Sequence, residues 1–207
     1  MIHRHSAARH PSEATLITRA AGTLPPLHGQ VVAMHIADCP GCRAAVRFGE
    51  ALGGALLETA PPATLAPAAL SRSLARLDEV VPEPPPADPV TVVGRRRRWR
   101  PLAPGIRLMP LVPRDATGTR LDLIRVAPGV ALPRHDHRDR ETTYVLAGAF
   151  VDESGEYRAG DIAEGDAGLD HRPRALAGAD CVCLIATTGA LRPHGRLACL
   201  LQPLFGF

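Results

Sequence analysis

The chain has 207 residues, enough for one large domain or two small ones, and 45% of them are hydrophobic, as in ordinary globular proteins. Its net charge of +3 is too small to indicate nucleic-acid binding by itself, and no apolar run approaches the roughly 18 residues of a membrane helix. The His/Arg-rich start is no signal peptide, so we expect a cytoplasmic protein. Five cysteines, including a Cys-x2-Cys pair, favour metal ligands and reduced thiols over disulfides.

Short helices are predicted in the first eighty or so residues. Ser12 is a good N-cap for the first helix, which runs to about Ala21. A Pro-Pro pair at residues 25–26 opens the second helix, which is expected to continue as far as Cys39. The third and fourth helices are expected at residues 43–58 and from about residue 67 onward.

The third and fourth helices carry apolar residues at helical spacing, so each has an apolar face. A helical bundle this small usually needs an additional stabilising element, such as a bound metal ion, to stay folded. It also has more apolar faces than it can bury internally, which indicates a partner surface. The residues on these faces are Phe48, Leu52, Leu56, Leu70, Leu74, Leu77 and Val81.

A proline-rich segment at residues 82–94 is the clearest boundary in the chain. Segments of this composition prefer extended polyproline geometry and act as semi-rigid spacers. The segment separates a helical domain, residues 1–81, from a second domain, residues 95–207.

An arginine run with one tryptophan, residues 95–100, follows the linker. Basic runs with an aromatic residue can bind phosphates and stack bases. A solvated edge strand or interdomain surface is the preferred interpretation, and no recognition-helix pattern accompanies the run. We therefore expect no direct contact with nucleic acid.

From Ile106 onward the apolar pattern changes to a period of two, with frequent Pro and Gly. Short strands separated by turn residues predict an all-β sandwich or barrel. The clearest strands are expected at residues 121–127, 142–150 and 179–186. The fold class is therefore α followed by β, in two domains.

The first candidate metal site is the run His35-x3-Cys39-x2-Cys42. If the helix continues to Cys39, the i,i+4 spacing places His35 and Cys39 on one face. Pro40 and Gly41 are then expected to break the helix and fold Cys42 back. One imidazole and two thiolates supply three of the four ligands of a structural zinc site.

The fourth ligand is open on sequence grounds, with His10, His3, His5 and His28 as candidates. The main alternative for Cys39-Pro-Gly-Cys42 is a thioredoxin-like redox pair. That motif normally opens a helix after a strand, whereas this one is expected to close a helix, so zinc is favoured.

The second candidate site lies in the β domain. On a strand His135 and His137 point to the same side, and Glu141 can return to that face after a short irregular stretch. His171 is expected on a neighbouring strand. Three imidazoles and a carboxylate suit Zn, Fe, Mn or Ni, and sequence does not choose among them.

Cys181 and Cys183 alternate on a predicted strand, so they face the same side and form a candidate redox pair. The alternative is that both thiols are small core hydrophobes. His28 and His194 are expected at the surface.

The β domain resembles a cupin in the offsets of its glycines, histidines and Glu141. The first cupin motif matches throughout, whereas the second has Asp166 where Pro is usual and Ala175 where Asn is usual. The resemblance implies a cupin-type β-barrel, a double-stranded β-helix. Cupins include enzymes, sensors and storage proteins, so the fold alone does not decide the function.

Residues 10–207 resemble the ChrR-type zinc-dependent anti-sigma factors, which pair a helical zinc domain with a cupin-like domain. The resemblance implies zinc at His10, His35, Cys39 and Cys42, and so selects His10 as the fourth ligand. It implies zinc or another divalent transition metal at the cupin residues His135, His137, Glu141 and His171. Other matching stretches are residues 20–24, Val93-Gly94-Arg95-Arg96, Trp99-Arg100, residues 181–184 and residues 202–206.

The resemblance further implies that the N-terminal helices bind an extracytoplasmic-function sigma factor and block its contacts with core RNA polymerase. The cupin half is then expected to sense an oxidative stress signal, with its barrel a candidate site for a small molecule. No catalytic residue is assigned. The alternative is a metal-dependent cupin enzyme, dioxygenase-like, with an accessory helical domain.

Overall fold

The computed structural model describes residues 7–77, 79 and 98–193. The predicted linker at residues 82–94 lies outside the described residues. The same holds for Val81, His3, His5, His194 and residues 95–97 of the arginine run.

The N-terminal part forms helices close to those predicted. The Ser12 side chain accepts a hydrogen bond from the backbone N–H of Thr15 and caps the first helix, and Pro26 occupies the first turn of the second. Gly22, with φ of +70°, separates the two. The helices are α1 (Glu13–Ala20), α2 (Pro26–Asp38), α3 (Pro40–Thr59) and α4 (Ala69–Ala75).

Helix α2 ends just before Pro40 and Gly41, as predicted, and these two residues form the first turn of α3, which therefore begins three residues before the predicted start at residue 43. Cys39 alone joins the helices: its backbone is extended, with φ −108° and ψ 105°, and it is both the C-cap of α2 and the N-cap of α3. Proline is compatible with the first position of a helix because its missing N–H has no partner there anyway. The Cys-Pro-Gly-Cys run therefore closes one helix and opens the next.

Among the described residues, the rest of the chain forms twelve strands in three sheets. A six-stranded sheet has the order β1-β2-β3-β11-β5-β8, and the two three-stranded sheets have the orders β10-β6-β7 and β12-β4-β9. The strands are β1 (Arg100–Ala103), β2 (Ile106–Val112), β3 (Thr119–Val126), β4 (His135–His137), β5 (Glu141–Ala147), β6 (Ala149–Asp152), β7 (Gly155–Arg158), β8 (Ile162–Gly165), β9 (Asp170–His171), β10 (Arg174–Ala175), β11 (Cys181–Thr188) and β12 (Leu191–Pro193).

The β domain is a cupin-like sandwich, and its sheets do not close into the predicted barrel in the described part of the chain. Gly148, with φ of +70°, lies between two strands that join different sheets. β5 pairs with β11 and β8, whereas β6 pairs with β7 and β10. The coarser prediction, helices followed by a cupin-like β domain, is confirmed.

The second helix packs on the large sheet rather than only on other helices. Leu27, Val31 and Val32 of α2 share one hydrophobic core with side chains of the six-stranded sheet. Burial of apolar side chains of this kind stabilises a fold by about 1.5–3 kcal/mol each. The sheet residues of this core include Leu111, Leu121, Tyr144, Ile162, Leu184 and Ala186.

In the residues that the structure describes, no helix combines the length and the apolar character needed to cross a membrane.

Candidate metal centres

Four side chains meet where α2 joins α3. The ligand atoms of His10, His35, Cys39 and Cys42 all lie within 4.8 Å of one another. Nδ1 of His10 is 3.2 Å from Nε2 of His35 and 3.5 Å from each of the two sulfur atoms. The structure therefore places His10 beside the three residues of the sequence motif.

Local structure explains why these residues converge. His35 lies in the last turn of α2, Cys39 is the joint, and Cys42 lies in the first turn of α3. His10 comes from the segment just before α1. His28 lies on another part of α2 and is not part of the cluster.

A hydrogen bond to the ring nitrogen of His35 that points away from the cluster fixes the tautomer of this imidazole. Nδ1 lies 2.8 Å from the carbonyl oxygen of Gly160, and a carbonyl can only accept, so Nδ1 carries the hydrogen. Nε2 then presents a lone pair to the cluster. Burial lowers the pKa of His35, which favours this neutral form.

Burial, followed by the hydrogen bond with Cys39, raises the pKa of Cys42 to about 12. Its thiol therefore keeps its proton at neutral pH until a metal ion replaces that proton. Two sulfur and two nitrogen donors form the closed donor set of a structural zinc site. The residues present fit zinc.

The second cluster consists of three buried imidazoles on two paired strands. β4 and β9 pair with His135 opposite His171. Nε2 of His171 lies 2.9 Å from Nε2 of His137 and 3.1 Å from Nε2 of His135. The prediction that His135 and His137 share a side and that His171 comes from a neighbouring strand matches this arrangement.

Two of these imidazoles are held by hydrogen bonds that they donate from Nδ1, the ring nitrogen that points away from the cluster. Nδ1 of His135 donates to the carbonyl oxygen of Pro133, and Nδ1 of His171 donates to the carboxylate of Asp152, each at 2.9 Å. In the neutral rings both Nε2 atoms then carry lone pairs and face each other at 3.1 Å. Such lone pairs repel unless a proton or a metal ion lies between them, so the site fits a metal ion when both rings are neutral.

The surroundings shift the pKa values of these rings in opposite directions. Burial lowers the pKa of His135. Burial alone would also lower the pKa of His171, but the hydrogen bond to Asp152 and the charge of Glu141 raise it above its usual value.

Glu141 lies beside the cluster and not among the converging nitrogens. Its Oε2 is 3.7 Å from Nδ1 of His137, and its oxygens accept hydrogen bonds from Thr143 and Thr187 at 3.3 and 3.4 Å. The three imidazoles thus come together, and Glu141 as the fourth ligand stays a prediction.

Cys181 and Cys183 face the same side of β11, with their sulfur atoms 3.6 Å apart. Both thiols are buried in the second hydrophobic core, with Val126 and Val145. The hydrogen bond with Cys181 and burial raise the pKa of Cys183 well above its usual value. Their surroundings are those of core residues, and their redox role stays a prediction.

The structure differs from the sequence analysis at one histidine outside the two clusters, and it shows two residues that hold imidazoles and were not identified from the sequence. His28 is fully buried, so its predicted surface position is wrong. The available signal was its helical spacing to Val32 and His35. Asp152 and Gly160 hold imidazoles from other elements, and no local pattern links them to those rings.

The comparisons with known proteins agree with this architecture. A family model described as the ChrR cupin-like domain matches residues 88–191. The anti-sigma-E factor ChrR of Cereibacter sphaeroides is 40% identical over 208 residues, which cover 95% of this chain and 97% of that protein. The crystal structure of Rhodobacter sphaeroides SigE in complex with the anti-sigma ChrR superposes with a TM-score of 0.71 and 41% identity, over 86% of this chain and 98% of that chain.

Proposed function

This chain belongs to the ChrR family of anti-sigma factors, and from that relationship we propose that its helical domain, residues 1–81, sequesters an extracytoplasmic-function sigma factor. Residues 82–94 would link it to the cupin-like domain, residues 95–207. The protein would act in the cytoplasm, where it would meet that sigma factor. The relative that aligns with 95% of this chain is an anti-sigma factor, so no reaction is proposed.

The observation that carries this proposal is an apolar surface on the helices. Phe48, Leu52 and Leu56 on α3 are 72%, 52% and 64% exposed. Monomeric proteins rarely leave large contiguous apolar patches in water, and such patches mark interaction sites. Leu70, Leu74 and Leu77, on or beside α4, are also exposed.

The cluster of His10, His35, Cys39 and Cys42 would hold zinc and orient that surface. When bound, zinc would supply coordinate bonds that join the segment before α1, the end of α2 and the start of α3. Zinc coupling of this kind contributes roughly 10 kcal/mol to the folding of small domains. The thiolates of Cys39 and Cys42 would also be open to oxidation, and oxidised sulfur no longer serves as a ligand.

The cupin-like domain would sense the signal that releases the sigma factor. His135, His137, Glu141 and His171 would hold zinc or another divalent transition metal there, as the chemistry of three imidazoles and a carboxylate allows. We propose an oxidative signal, with Cys181 and Cys183 as the candidate thiols of this domain.

Co-expression with the partner sigma factor tests the proposal. We expect a stable 1:1 complex for the parent and its loss in Cys42→Ala, because that variant removes a zinc ligand. Cys181→Ala is the matched control, since it removes a buried thiol outside the N-terminal cluster and should keep the complex. A Cys42→Ala protein that still bound the sigma factor with parental affinity would contradict the proposed role of zinc.

A further inference from the structure

The segment that carries His10 is attached to the cupin-like domain through one buried carboxylate. Oδ1 of Asp161 accepts hydrogen bonds from the backbone N–H groups of Ala8 and Arg9 at 2.7 and 3.0 Å. Oδ2 of the same side chain accepts from the N–H of Arg158 at 2.8 Å, and the residue is 2% exposed. A buried carboxylate with three donors is fixed in place, so it fixes the segment as well.

Further contacts hold the same segment on both sides of His10. The N–H of Ile162 donates to the carbonyl oxygen of Arg9 at 3.2 Å, and the N–H of Ser12 donates to Oε2 of Glu164 at 2.8 Å. The guanidinium of Arg9 lies over the ring of Tyr157, 5.3 Å from its centroid.

The other imidazole of the cluster, that of His35, is also held by the β domain. Gly160, next to Asp161, accepts the Nδ1–H of His35 through its carbonyl oxygen. The two nitrogen ligands therefore both depend on residues 160–164 of the β domain, whereas Cys39 and Cys42 come from the joint between α2 and α3.

We propose that residues 160–164 position the two imidazoles of the N-terminal cluster and thereby set its metal affinity, with Asp161 as the main positioning residue. The inference rests on the proposed zinc site. Groups that hold the outer side of a metal-binding imidazole typically change metal affinity 10–100-fold when they are replaced. A rearrangement of residues 160–164 would displace the two imidazole ligands without moving either thiol. A structural change in the β domain could in this way weaken metal binding at the joint between α2 and α3.

Titration of the full chain with Co²⁺ tests this inference, because a thiolate bound to cobalt gives a charge-transfer absorption that three imidazoles cannot give. Asp161 holds the backbone beside His10 and not an imidazole itself, so we expect Asp161→Ala to weaken the binding that produces this band about 10-fold, at the lower end of that range. Glu164→Ala, which removes one exposed contact and leaves the buried network intact, should weaken it by a smaller factor. Asp115→Ala is the matched control, since Asp115 accepts similar backbone hydrogen bonds in a turn that makes no contact with the cluster.

Each result decides the inference. Weaker Co²⁺ binding in Asp161→Ala, followed by the thiolate band, together with parental Co²⁺ affinity in Asp115→Ala, supports the inference. If the parent shows the thiolate band and a folded Asp161→Ala binds Co²⁺ with the same affinity, the inference is overturned, but the proposed zinc site is not. If Asp161→Ala does not fold, Asp161→Asn, which keeps one acceptor oxygen, takes its place, and parental affinity in a folded Asp161→Asn overturns the inference. A parent without a thiolate band overturns the zinc site and the inference together.

Discussion

The imidazole of His28 connects a helix to the large sheet through its hydrogen bond to Thr142: Nδ1 lies 2.9 Å from the hydroxyl oxygen of Thr142 on β5. Its other nitrogen lies 2.8 Å from the hydroxyl oxygen of Thr188 at the end of β11. The ring is fully buried. Both ring nitrogens thus contact the sheet on which α2 packs, and the ring is neutral in this arrangement because burial disfavours its charged form.

Stability should therefore fall in acid through His28. Burial, and then the charge of Arg140, lower its pKa from 6.5 to about 4. Between these values the folded state binds fewer protons than the unfolded state, so the stabilisation is complete above pH 6.5 and is lost as the pH falls toward 4. The loss from this one group is roughly 3 kcal/mol.

His28→Gln tests this prediction, because glutamine can bond to both threonines and takes up no proton. The free energy of unfolding, measured with denaturant at several pH values, should fall less steeply in this variant than in the parent. Equal pH dependence in both proteins would mean that His28 does not titrate as described.

Asp152→Asn should weaken metal binding at the three-imidazole cluster by roughly 10–100-fold, because the carboxylate holds the outer nitrogen of His171. Metal titration of a protein with both Cys39 and Cys42 replaced by Ser isolates this site. Asp170→Asn is the control, since Asp170 precedes His171 but its carboxylate contacts Arg134 at the surface. Parental affinity in Asp152→Asn would show that the ring is held by other contacts.

Phe48→Asp should strongly weaken sigma-factor binding without unfolding the chain. The side chain is 72% exposed, so its replacement should change the stability by no more than about 0.5 kcal/mol. A central aromatic anchor typically contributes 2 kcal/mol or more, and we expect an affinity loss of roughly 30-fold or greater. Calorimetry of the complex measures it, with Leu146→Gln on the β domain as control. Retention of affinity in Phe48→Asp would place the interface elsewhere.

Two glycines with similar backbone conformations distinguish the cost of a strained backbone from the cost of a steric clash. Gly118 and Gly148 have φ of +77° and +70°, but a Cβ at Gly118 meets nothing within 4 Å. A Cβ at Gly148 meets the backbone carbonyl of Asp180. Gly118→Ala should lower the free energy of unfolding by about 1–2 kcal/mol and Gly148→Ala by roughly 2–5 kcal/mol. Thermal or denaturant unfolding of both variants checks the order, and equal losses would contradict it.

Local rules explain which parts of this structure the sequence predicts. The hydroxyl of Ser12, the proline at position 26 and the alternation of His135 and His137 act within one turn or one strand, and each appears as predicted. The break at Cys39 also appears as predicted, but α3 begins at Pro40 and not at residue 43, because a Pro-Gly pair that ends one helix is also compatible with the first turn of the next.

Long-range packing explains what the sequence does not show. Asp161 and His10 are 151 positions apart in the chain, and only the docking of the N-terminal segment on β8 brings them near each other. His28 looks like an ordinary polar residue until α2 packs on the sheet. The family resemblance could select His10 as a ligand, but it carried no information on the groups that position it.

The single extended residue between α2 and α3, Cys39, sets the direction in which α3 leaves α2. α3 has 20 residues, so it extends about 30 Å from that joint. A change of about 10° in the direction of the helix at Cys39 would move its far end by about 5 Å, a shift comparable to one helical turn. The residue whose backbone sets this direction also offers one of the sulfur ligands. A chemical change at this thiol that turns α3 by such an angle would displace the apolar surface around Leu56 far enough to break its side-chain contacts with a partner.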